Sequence, residues 1–308
     1  MALWPRMRSW QREPMPSPMD ALARAAAHGL RLEAGSATLV ETGLDFRVVL
    51  AAQEDGTPWV LRIPRRADVL PTIEREAAIL DLVRPRLRAA VPDWRIRTDE
   101  LLAYPALPGT PGLTVSDEPE WHMDPSSPRY AASLGELLAQ LHGIPVEDAR
   151  SADVEIREPA AVRERWRADV ARVATEFEVA AALLRRWEAW LADDTFWPDR
   201  SVMTHGEIYP GHTLLDEDGS ISGVLDWTTA RVDDPARDFL FQRGVAGEEA
   251  FAATVDAYVR AGGSVWPRLA DHCAEMWAAA PVGYGIYALT TGEPEHREAA
   301  AAQLASVG

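Results

Sequence analysis

Three side chains in the second half of the chain have the types and the spacing that phosphoryl transfer to an alcohol requires. Glu207 follows the dipeptide His205-Gly206. His212, a candidate metal ligand, comes five residues later, and Asp226 closes a short apolar strand before a tryptophan. A carboxylate at 207 can accept the proton of a hydroxyl, and one at 226 can hold Mg²⁺ across nucleotide phosphates. Since this chemistry depends mainly on positioning and charge neutralisation, a few acids at this spacing could carry it.

Each of these acids, taken alone, has an ordinary structural interpretation. Glu207 could be a surface acid in a turn, and Asp226 could cap a turn at a strand end. The combination is more specific, because the two acids lie nineteen residues apart and enclose the hairpin sequence DEDGS. Two further acids in DDPARDF predict structural roles. We expect Asp234 to cap a helix that opens with proline, and Asp238 to bond the backbone of the loop that carries Glu207.

The composition limits the classes of partner and cofactor. The chain has 308 residues and a formal net charge of -17, which argues against a nucleic-acid partner because phosphate backbones need basic surfaces. The acidity fits either a cationic small-molecule substrate or ordinary solubility. The single cysteine, Cys273, cannot form a disulfide framework or a thiolate zinc cluster, and its helical surroundings predict a buried apolar residue.

Targeting and membrane signals are not found in the sequence. No run of about 18 apolar residues occurs, so no membrane span is expected. The N-terminal segment has arginines but lacks the apolar core of a signal peptide. We therefore expect a cytoplasmic protein, and nothing in the sequence demands more than a monomer.

The chain contains no lysine and no asparagine, and all 31 of its lysine-plus-arginine residues are arginine. A Walker phosphate-binding loop is excluded because its Gly-Lys-Ser/Thr needs the lysine ammonium. Schiff-base chemistry is excluded for the same reason. Any phosphate clamp in this protein must therefore use arginine.

Arg62 is the strongest candidate for that clamp. It lies in the strand-like run WVLRIP, where alternation places it on the opposite face from its two apolar neighbours. From there it could pair with Glu76 or Glu74 on the helix that follows. Arg65 and Arg66 are competing candidates, and an exposed strand arginine is the plain structural alternative.

Strand and helix patterns divide the chain into two parts. Residues 37–63 contain three strands separated by turns, PTIEREAAILDLV has helical spacing, and VPDWRIR and ELLAYPAL add two short strands. The segment LPGTPG ends this part, and mostly helical sequence follows, with strand-like SVMTH and ISGVLDW around the candidate residues. We expect a flexible tail at 1–19, a small α+β lobe at 20–107 and a larger helical lobe at 108–308. Late helices are expected at 160–175, at 178–192 and, as a last pair, at 266–280 and 282–305.

Together these residues resemble the aminoglycoside and macrolide phosphotransferase superfamily, which has a protein-kinase-like two-lobed fold. The likeness to macrolide 2'-phosphotransferases rests on GLDFRVVLA, WVLRIPRR, VPDWR, LLAYP, THG-x-x-x-x-GH, GVLDWTTARVDDPARD and GGSVWPRLA, and it covers about residues 20 to 305. His212 is the discriminating residue. Most kinase-like phosphotransferases carry asparagine at this metal position, and the macrolide group is similar to this chain in carrying histidine.

The resemblance implies an antibiotic-resistance kinase. It would transfer the γ-phosphate of a nucleoside triphosphate, GTP typically and ATP otherwise, to the 2'-hydroxyl of a macrolide's amino sugar. Glu207 and Asp226 would be catalytic, and Mg²⁺ would be held by His212 and Asp226. The 20–107 lobe would bind the nucleotide. Further implied site residues are Arg62 and Glu76 at the phosphates, Tyr104 and Ala106 as backbone partners of the base, and Met276, Trp277, Tyr284 and Tyr287 in the wall of the drug pocket.

One position departs from the family pattern, which has aspartate where this chain has Glu207. The extra methylene moves the carboxylate by about one bond length, and misplacement on that scale can slow a reaction strongly. The loop could be shifted to compensate, or activity could be slow. The carboxylate could also act mainly by orienting the hydroxyl, since a dissociative transition state needs little base strength.

Three other functions stay open at this point. The chain could be another small-molecule kinase of the same fold, acting on an aminoglycoside or on choline, although the apolar late sequence WAAAPVGYGIYAL favours a macrolide over a polycation. It could be a catalytically weak nucleotide-binding protein because of Glu207. It could also be a helical interaction domain.

Overall fold

The computed structural model of the protein describes residues 17–40, 45–115 and 118–306. Gly43 and Leu44, which with Asp45 form the turn expected between the first two strands, lie outside these ranges, as does most of the tail expected at 1–19. The expected fold is confirmed, because a small antiparallel sheet with one main helix precedes a larger and mostly helical part.

The N-terminal part is built on a five-stranded antiparallel sheet in the order β1-β2-β3-β5-β4. Its strands are β1 (Thr38–Val40), β2 (Phe46–Ala52), β3 (Pro58–Pro64), β4 (Ile96–Arg97) and β5 (Leu102–Pro105). Two helices accompany it, α1 (Pro18–Ala27) and α2 (Leu70–Val83). All five strands and α2 agree with the sequence patterns, whereas α1 begins inside the segment expected to be tail.

The two faces of this sheet pack against different helices, and this separation positions Arg62. Leu61 and Ile63 belong to an apolar cluster that includes Leu22 of α1. Arg62, between them, points to the other face and reaches Glu76 on α2. The alternation predicted for β3 is therefore confirmed.

The C-terminal part is mostly helical and holds most of the largest apolar cluster among the described residues, to which α2 also contributes. Its helices are α3 (Pro128–His142), α4 (Val146–Ser151), α5 (Pro159–Glu176), α6 (Ala181–Ala192), α7 (Glu248–Arg260), α8 (Leu269–Ala278), α9 (Ala280–Thr291) and α10 (Pro294–Ala305). A short 3-10 helix at Pro235–Phe239 and one π-helical turn at Gln242–Ala246 precede α7. The last helical pair predicted from the sequence is wrong, since three helices are present and Gly292 and Pro294 separate α9 from α10.

Short strands frame the predicted chemical residues. They are β6 (Thr110–Pro111), β7 (Leu113–Thr114), β8 (Glu120–Trp121), β9 (Val202–Thr204), β10 (Thr213–Leu215), β11 (Ile221–Val224) and β12 (Arg231–Asp233). β6, β10 and β11 form one sheet, β9 pairs with β12, and β7 pairs with β8. The loops after β9 and after β11 consequently lie close together.

Two simpler expectations concern the core and the membrane. Cys273 is fully buried on α8, as its surroundings predict, and its thiol lies 3.7 Å from the carbonyl oxygen of Ala236. Among the residues that the structure describes, none of the helices combines the length and the apolar character needed to cross a bilayer.

Candidate active site

The loop between β9 and β10 carries two of the three predicted residues, and a buried carboxylate fixes its shape. Asp238 accepts hydrogen bonds from the backbone N–H of His205 at 2.9 Å and of Gly206 at 2.7 Å. The predicted backbone contact of Asp238 is therefore confirmed. Asp238 lies on the 3-10 helix whose first turn Asp234 caps, also as predicted, by accepting a backbone N–H at 2.8 Å.

His142 is absent from the predicted site, yet it completes the support of this loop. Its Nε2 lies 3.1 Å from Asp238 Oδ2, and its Nδ1 lies 3.1 Å from the hydroxyl of Tyr258. His142 ends α3 and Tyr258 lies on α7, so two packed helices meet behind the loop. The sequence offers no separate signal for His142, because a histidine in an apolar helix stripe is equally typical of a core position.

Replacing Asp238 with alanine should destabilise the protein strongly. The change leaves two buried backbone N–H groups and the His142 ring without their acceptor, which costs roughly 3 to 5 kcal/mol of unfolding free energy. Urea denaturation measures this loss. The matched control is Asp256→Ala on the exposed face of α7, which should change stability by less than about 0.5 kcal/mol. Equal effects of the two substitutions would contradict the role given to Asp238.

His205 is fully buried and held in one tautomer by its neighbours. Its Nε2 lies 2.9 Å from the carbonyl oxygen of Leu225, which can only accept, and its Nδ1 accepts the N–H of Glu207 at 3.4 Å. The Trp227 ring packs edge-on at 4.8 Å between centroids. Burial, with the nearby His212, lowers the pKa of His205 to about 4. A neutral His205 thus ties the two loops of the site together.

Stability should fall on mild acidification because His205 is buried in its neutral form. The unfolded imidazole takes up a proton below its ordinary pKa of 6.5, whereas the folded one does so only near 4. Between those values the unfolded state binds more protons, so the unfolding free energy should drop by about 3 kcal/mol from neutral pH to pH 4. Denaturant titrations at several pH values measure this slope. A His205→Gln variant should show a shallower slope, and an unchanged slope would contradict the assignment.

Asp226 follows β11 in a backbone conformation that few side chains adopt. Its φ is 58°, in the left-handed region, which aspartate tolerates better than most residues. The Thr228 hydroxyl donates to Asp226 Oδ1 at 2.5 Å and holds the carboxylate in place. Burial alone would raise the pKa of Asp226, but His212, the Thr228 hydroxyl and Arg62 lower it below its usual value. Asp226 therefore places an anionic carboxylate in the loop that follows β11.

His212 faces Asp226 in a way that suits a divalent cation. Its Nδ1 lies 2.8 Å from the backbone carbonyl oxygen of Glu207, so Nδ1 carries the hydrogen in the neutral ring. The lone pair on Nε2 then points to Asp226 Oδ2, 3.7 Å away. In the described residues no three His, Cys, Asp or Glu side chains form a metal site. The Asp226 carboxylate is the kind of ligand that Mg²⁺ prefers, together with phosphates and water, and the Nε2 of His212 would be a second protein ligand beside it.

Glu207 differs from Asp226 in its protonation behaviour. Glu207 is exposed to solvent, but the protein atoms around its carboxyl group raise its pKa, with the Asp226 carboxylate acting in the same direction and His212 and Arg237 acting against it. The guanidinium of Arg237 donates to the carbonyl oxygen of Gly206 at 3.0 Å and stands beside the loop. Two carboxyl groups whose pKa values are displaced in opposite directions are typical of sites that divide basic and electrostatic roles.

Arg62 makes the predicted ion pair with Glu76 at 2.7 Å, and both side chains are buried. Its guanidinium lies over the Phe46 ring at 4.0 Å from the centroid. Burial opposes the charge, but Glu76, Tyr104 and Asp226 together outweigh burial and keep the pKa of Arg62 above its usual range. Asp226 lies within electrostatic reach of both Arg62 and Glu76. The other candidates are engaged elsewhere: Glu74 pairs with Arg97, and Arg66 pairs with Asp45 and Asp68.

Tyr104 and Ala106 were predicted to bind the nucleotide base through their backbone, but the N–H of Ala106 is already hydrogen-bonded within the sheet. The N–H of Ala106 donates to the carbonyl oxygen of Pro58 at 2.8 Å, so it extends the β3–β5 ladder. Tyr104 is paired with Val60 in the same ladder. Because backbone groups alternate along a strand, the free edge at this point presents the carbonyl of Pro105. The N–H of Ala106 is therefore used within the sheet, and the Pro105 carbonyl is the backbone acceptor that faces the free edge.

The four residues predicted for the pocket wall lie on two consecutive helices, α8 and α9. Met276 is buried in the core of α8. Trp277 packs its ring over Gly244 in the π-helical turn. On α9 the Tyr284 ring stacks with Tyr287 at 6.2 Å, and the Tyr284 hydroxyl bonds His296 of α10 at 3.0 Å. Trp277 therefore packs against the segment that follows the Asp238 helix.

Comparison with known proteins shows the family of this chain. The model of a family described as the phosphotransferase enzyme family matches residues 36–272. The crystal structure of macrolide 2'-phosphotransferase MphH from Brachybacterium faecium, an apoenzyme, is 55% identical, with 93% of this chain and 98% of that chain covered and a TM-score of 0.90. A solved macrolide 2'-phosphotransferase type I is 45% identical, with 95% and 99% covered and a TM-score of 0.87. The uncharacterized protein YcbJ of Bacillus subtilis (strain 168) is 40% identical over 282 residues, which are 90% of this chain and 92% of that protein.

These similarities extend through both the sheet and the helical part. The likeness to macrolide 2'-phosphotransferases that the motifs indicated is thereby confirmed, at 55% and 45% identity. The matched family segment also contains the residues of the candidate site, which we call the loop cluster: Arg62, Glu76, Glu207, His212, Asp226 and Asp238. This chain is an enzyme that belongs to the phosphotransferase enzyme family.

Proposed function

We propose that this enzyme transfers the γ-phosphoryl group of a nucleoside triphosphate, with GTP as the preferred donor, to the 2'-hydroxyl of a macrolide's amino sugar. The observation that carries the proposal is the meeting of Glu207, His212 and Asp226 beside the Arg62–Glu76 pair. The similarity to two solved macrolide 2'-phosphotransferases supports the choice of acceptor. Phosphorylation at that hydroxyl would inactivate the antibiotic and give resistance.

Each residue has a role that its surroundings support. The raised pKa of Glu207 suits a carboxylate that accepts a hydrogen bond from the acceptor hydroxyl and then its proton. Asp226 and His212 would hold Mg²⁺, which supplies neutralisation of the β- and γ-phosphates when the nucleotide is bound. Arg62, fixed by Glu76 and Phe46, would keep one guanidinium face directed at the phosphates. Rigid placement of these groups is what such a reaction demands.

The charge of the protein supports a cationic acceptor. A macrolide carries a protonated dimethylamino group beside the reacting hydroxyl. With a formal net charge of -17, the protein attracts cations at long range. We further propose that the nucleotide binds to residues 20–107 and the drug to residues 108–308, in the cytoplasm, where nucleoside triphosphates are available.

A phosphorylation panel tests this proposal. Purified enzyme is incubated with Mg²⁺ and either GTP or ATP, together with erythromycin, a macrolide of larger ring, kanamycin or choline, and the products are read by mass spectrometry. We expect a phosphorylated macrolide, formed faster with GTP than with ATP. Phosphorylation of kanamycin or choline alone would assign a different acceptor, and nucleotide binding without any product would assign a binding protein.

A further inference from the structure

A row of aromatic rings extends from the protein surface to the loop between β9 and β10, which carries Glu207 and His212 and which we call the reactive loop. The rings of Trp121 and Phe241 lie 6.2 Å apart, those of Phe241 and Tyr209 5.9 Å apart, and those of Tyr209 and His212 4.4 Å apart. We call Trp121, Phe241 and Tyr209 the aromatic face. Because His212 lies within the candidate site, this face begins beside the site and ends at the protein surface.

Tyr209 is held in place at the inner end of the aromatic face. It lies two residues after Glu207, on the loop between β9 and β10. The ring occupies space that only glycine at 211 leaves open, since a Cβ there would lie 2.5 Å from a ring carbon. The edge-on contact with His212 completes the fit. A ring fixed so close to the reactive carboxylate is suited to position an acceptor.

Trp121 is held at the outer end by the β7–β8 hairpin. This hairpin is attached to the reactive loop, because Leu113 donates its N–H to the carbonyl oxygen of Pro210 at 3.1 Å and Gly112 donates to Thr213 at 3.0 Å. Trp121 pairs with Leu113 across the hairpin. Trp121 nevertheless remains 44% exposed. With Phe241 and Tyr209 it forms a contiguous row of rings, and contiguous exposed apolar patches mark ligand surfaces where isolated apolar residues do not.

We propose that the aromatic face is the surface that binds the apolar ring of the acceptor and determines specificity for lipophilic amino-sugar compounds. This inference rests on the proposed function, since it names where the macrolide lies in the same site. The lactone would cover Trp121 and Phe241, and the amino sugar would lie on Tyr209 with its hydroxyl toward Glu207. Aromatic rings suit both parts of the acceptor. The apolar lactone packs against ring surfaces, and the protonated amine of the amino sugar is attracted to a ring face. The α9 tyrosines, predicted from sequence as wall residues, are engaged with α10 instead.

Steady-state kinetics with erythromycin at saturating GTP and Mg²⁺ test this surface. Trp121→Ala should raise KM by roughly tenfold, and Phe241→Ala should do the same. The kcat of Trp121→Ala should stay within about twofold of wild type, since the residue is remote from the reacting atoms. Val259→Ala is the matched control, because Val259 is also an exposed apolar residue but lies on α7, and its KM should equal that of wild type.

An acceptor without the lactone distinguishes loss of the lactone contact from a general loss of activity in the variant. The methyl glycoside of the amino sugar lacks the lactone, so Trp121→Ala should leave its KM unchanged. Gly211→Ala should impair both acceptors by displacing the Tyr209 ring. An unchanged KM for erythromycin in Trp121→Ala, with a raised KM in Tyr284→Ala or Tyr287→Ala, would overturn the inference while leaving the proposed function intact. A wild-type enzyme that phosphorylates no macrolide would overturn the proposed function itself.

Discussion

Replacing Asp226 with asparagine should lower phosphoryl transfer by roughly a thousandfold without unfolding the protein. The carboxylate is held anionic by His212, the Thr228 hydroxyl and Arg62, and it faces the Nε2 of His212 at 3.7 Å. An amide of the same shape removes the charge that a cation between these ligands requires. Asparagine also tolerates the left-handed backbone of this position, so the loop should keep its conformation.

The Asp226→Asn variant is tested by kcat, by melting temperature and by nucleotide affinity with and without Mg²⁺. The expected pattern is loss of turnover and loss of the Mg²⁺-dependent part of binding, at a nearly unchanged melting temperature. The matched control is Asp216→Asn in the exposed turn before β11, which should behave as wild type. Near-normal turnover in Asp226→Asn would remove Asp226 from the metal site.

Replacing Glu207 with glutamine should lower kcat on the order of a hundredfold to a thousandfold. Glutamine keeps the length of the side chain but cannot take the proton of the acceptor hydroxyl. The raised pKa of Glu207 supports this basic role. Stopped-time assays at saturating substrates measure the loss, and circular dichroism checks that the fold is retained.

Glu207→Asp separates the three explanations of the longer side chain. If the loop has shifted to fit glutamate, aspartate should fall short of the hydroxyl and lower kcat about tenfold or more. If glutamate is a slow substitute for the family residue, aspartate should raise kcat. If the carboxylate mainly orients the hydroxyl, the two acids should turn over at similar rates. We expect the first result, because His205 and Asp238 hold the loop backbone by several hydrogen bonds.

The parts of the site that follow from local rules could be predicted from the sequence. Strand alternation placed Arg62 opposite its apolar neighbours, and helix position made Glu76 a reachable partner. The Asp-Pro pair predicted the cap at Asp234 for the same local reason. Their spacing also predicted that Glu207, His212 and Asp226 lie close together. The structure agrees, because β10 pairs with β11 and β9 pairs with β12, so the loops that carry these residues are neighbours.

The remaining parts depend on contacts between distant segments, which no local pattern encodes. His142 reaches Asp238 across 96 residues of sequence. The β7–β8 hairpin meets the reactive loop only through the tertiary fold, so Trp121 carried no sequence signal of its own. The role of Met276 could not be read from its helix either, because an apolar helix in a pocket wall and an apolar helix in a core have the same periodicity.

The most direct test of the account follows the γ-phosphate of GTP and asks whether Glu207 and Asp226 are needed for its transfer to the macrolide. GTP labelled in its γ-phosphate is incubated with Mg²⁺, erythromycin and wild-type enzyme, Glu207→Gln or Asp226→Asn, each shown to be folded. We expect the label on the macrolide with wild type and essentially none with either variant. Transfer by either variant at close to the wild-type rate would mean that these carboxylates do not carry the reaction.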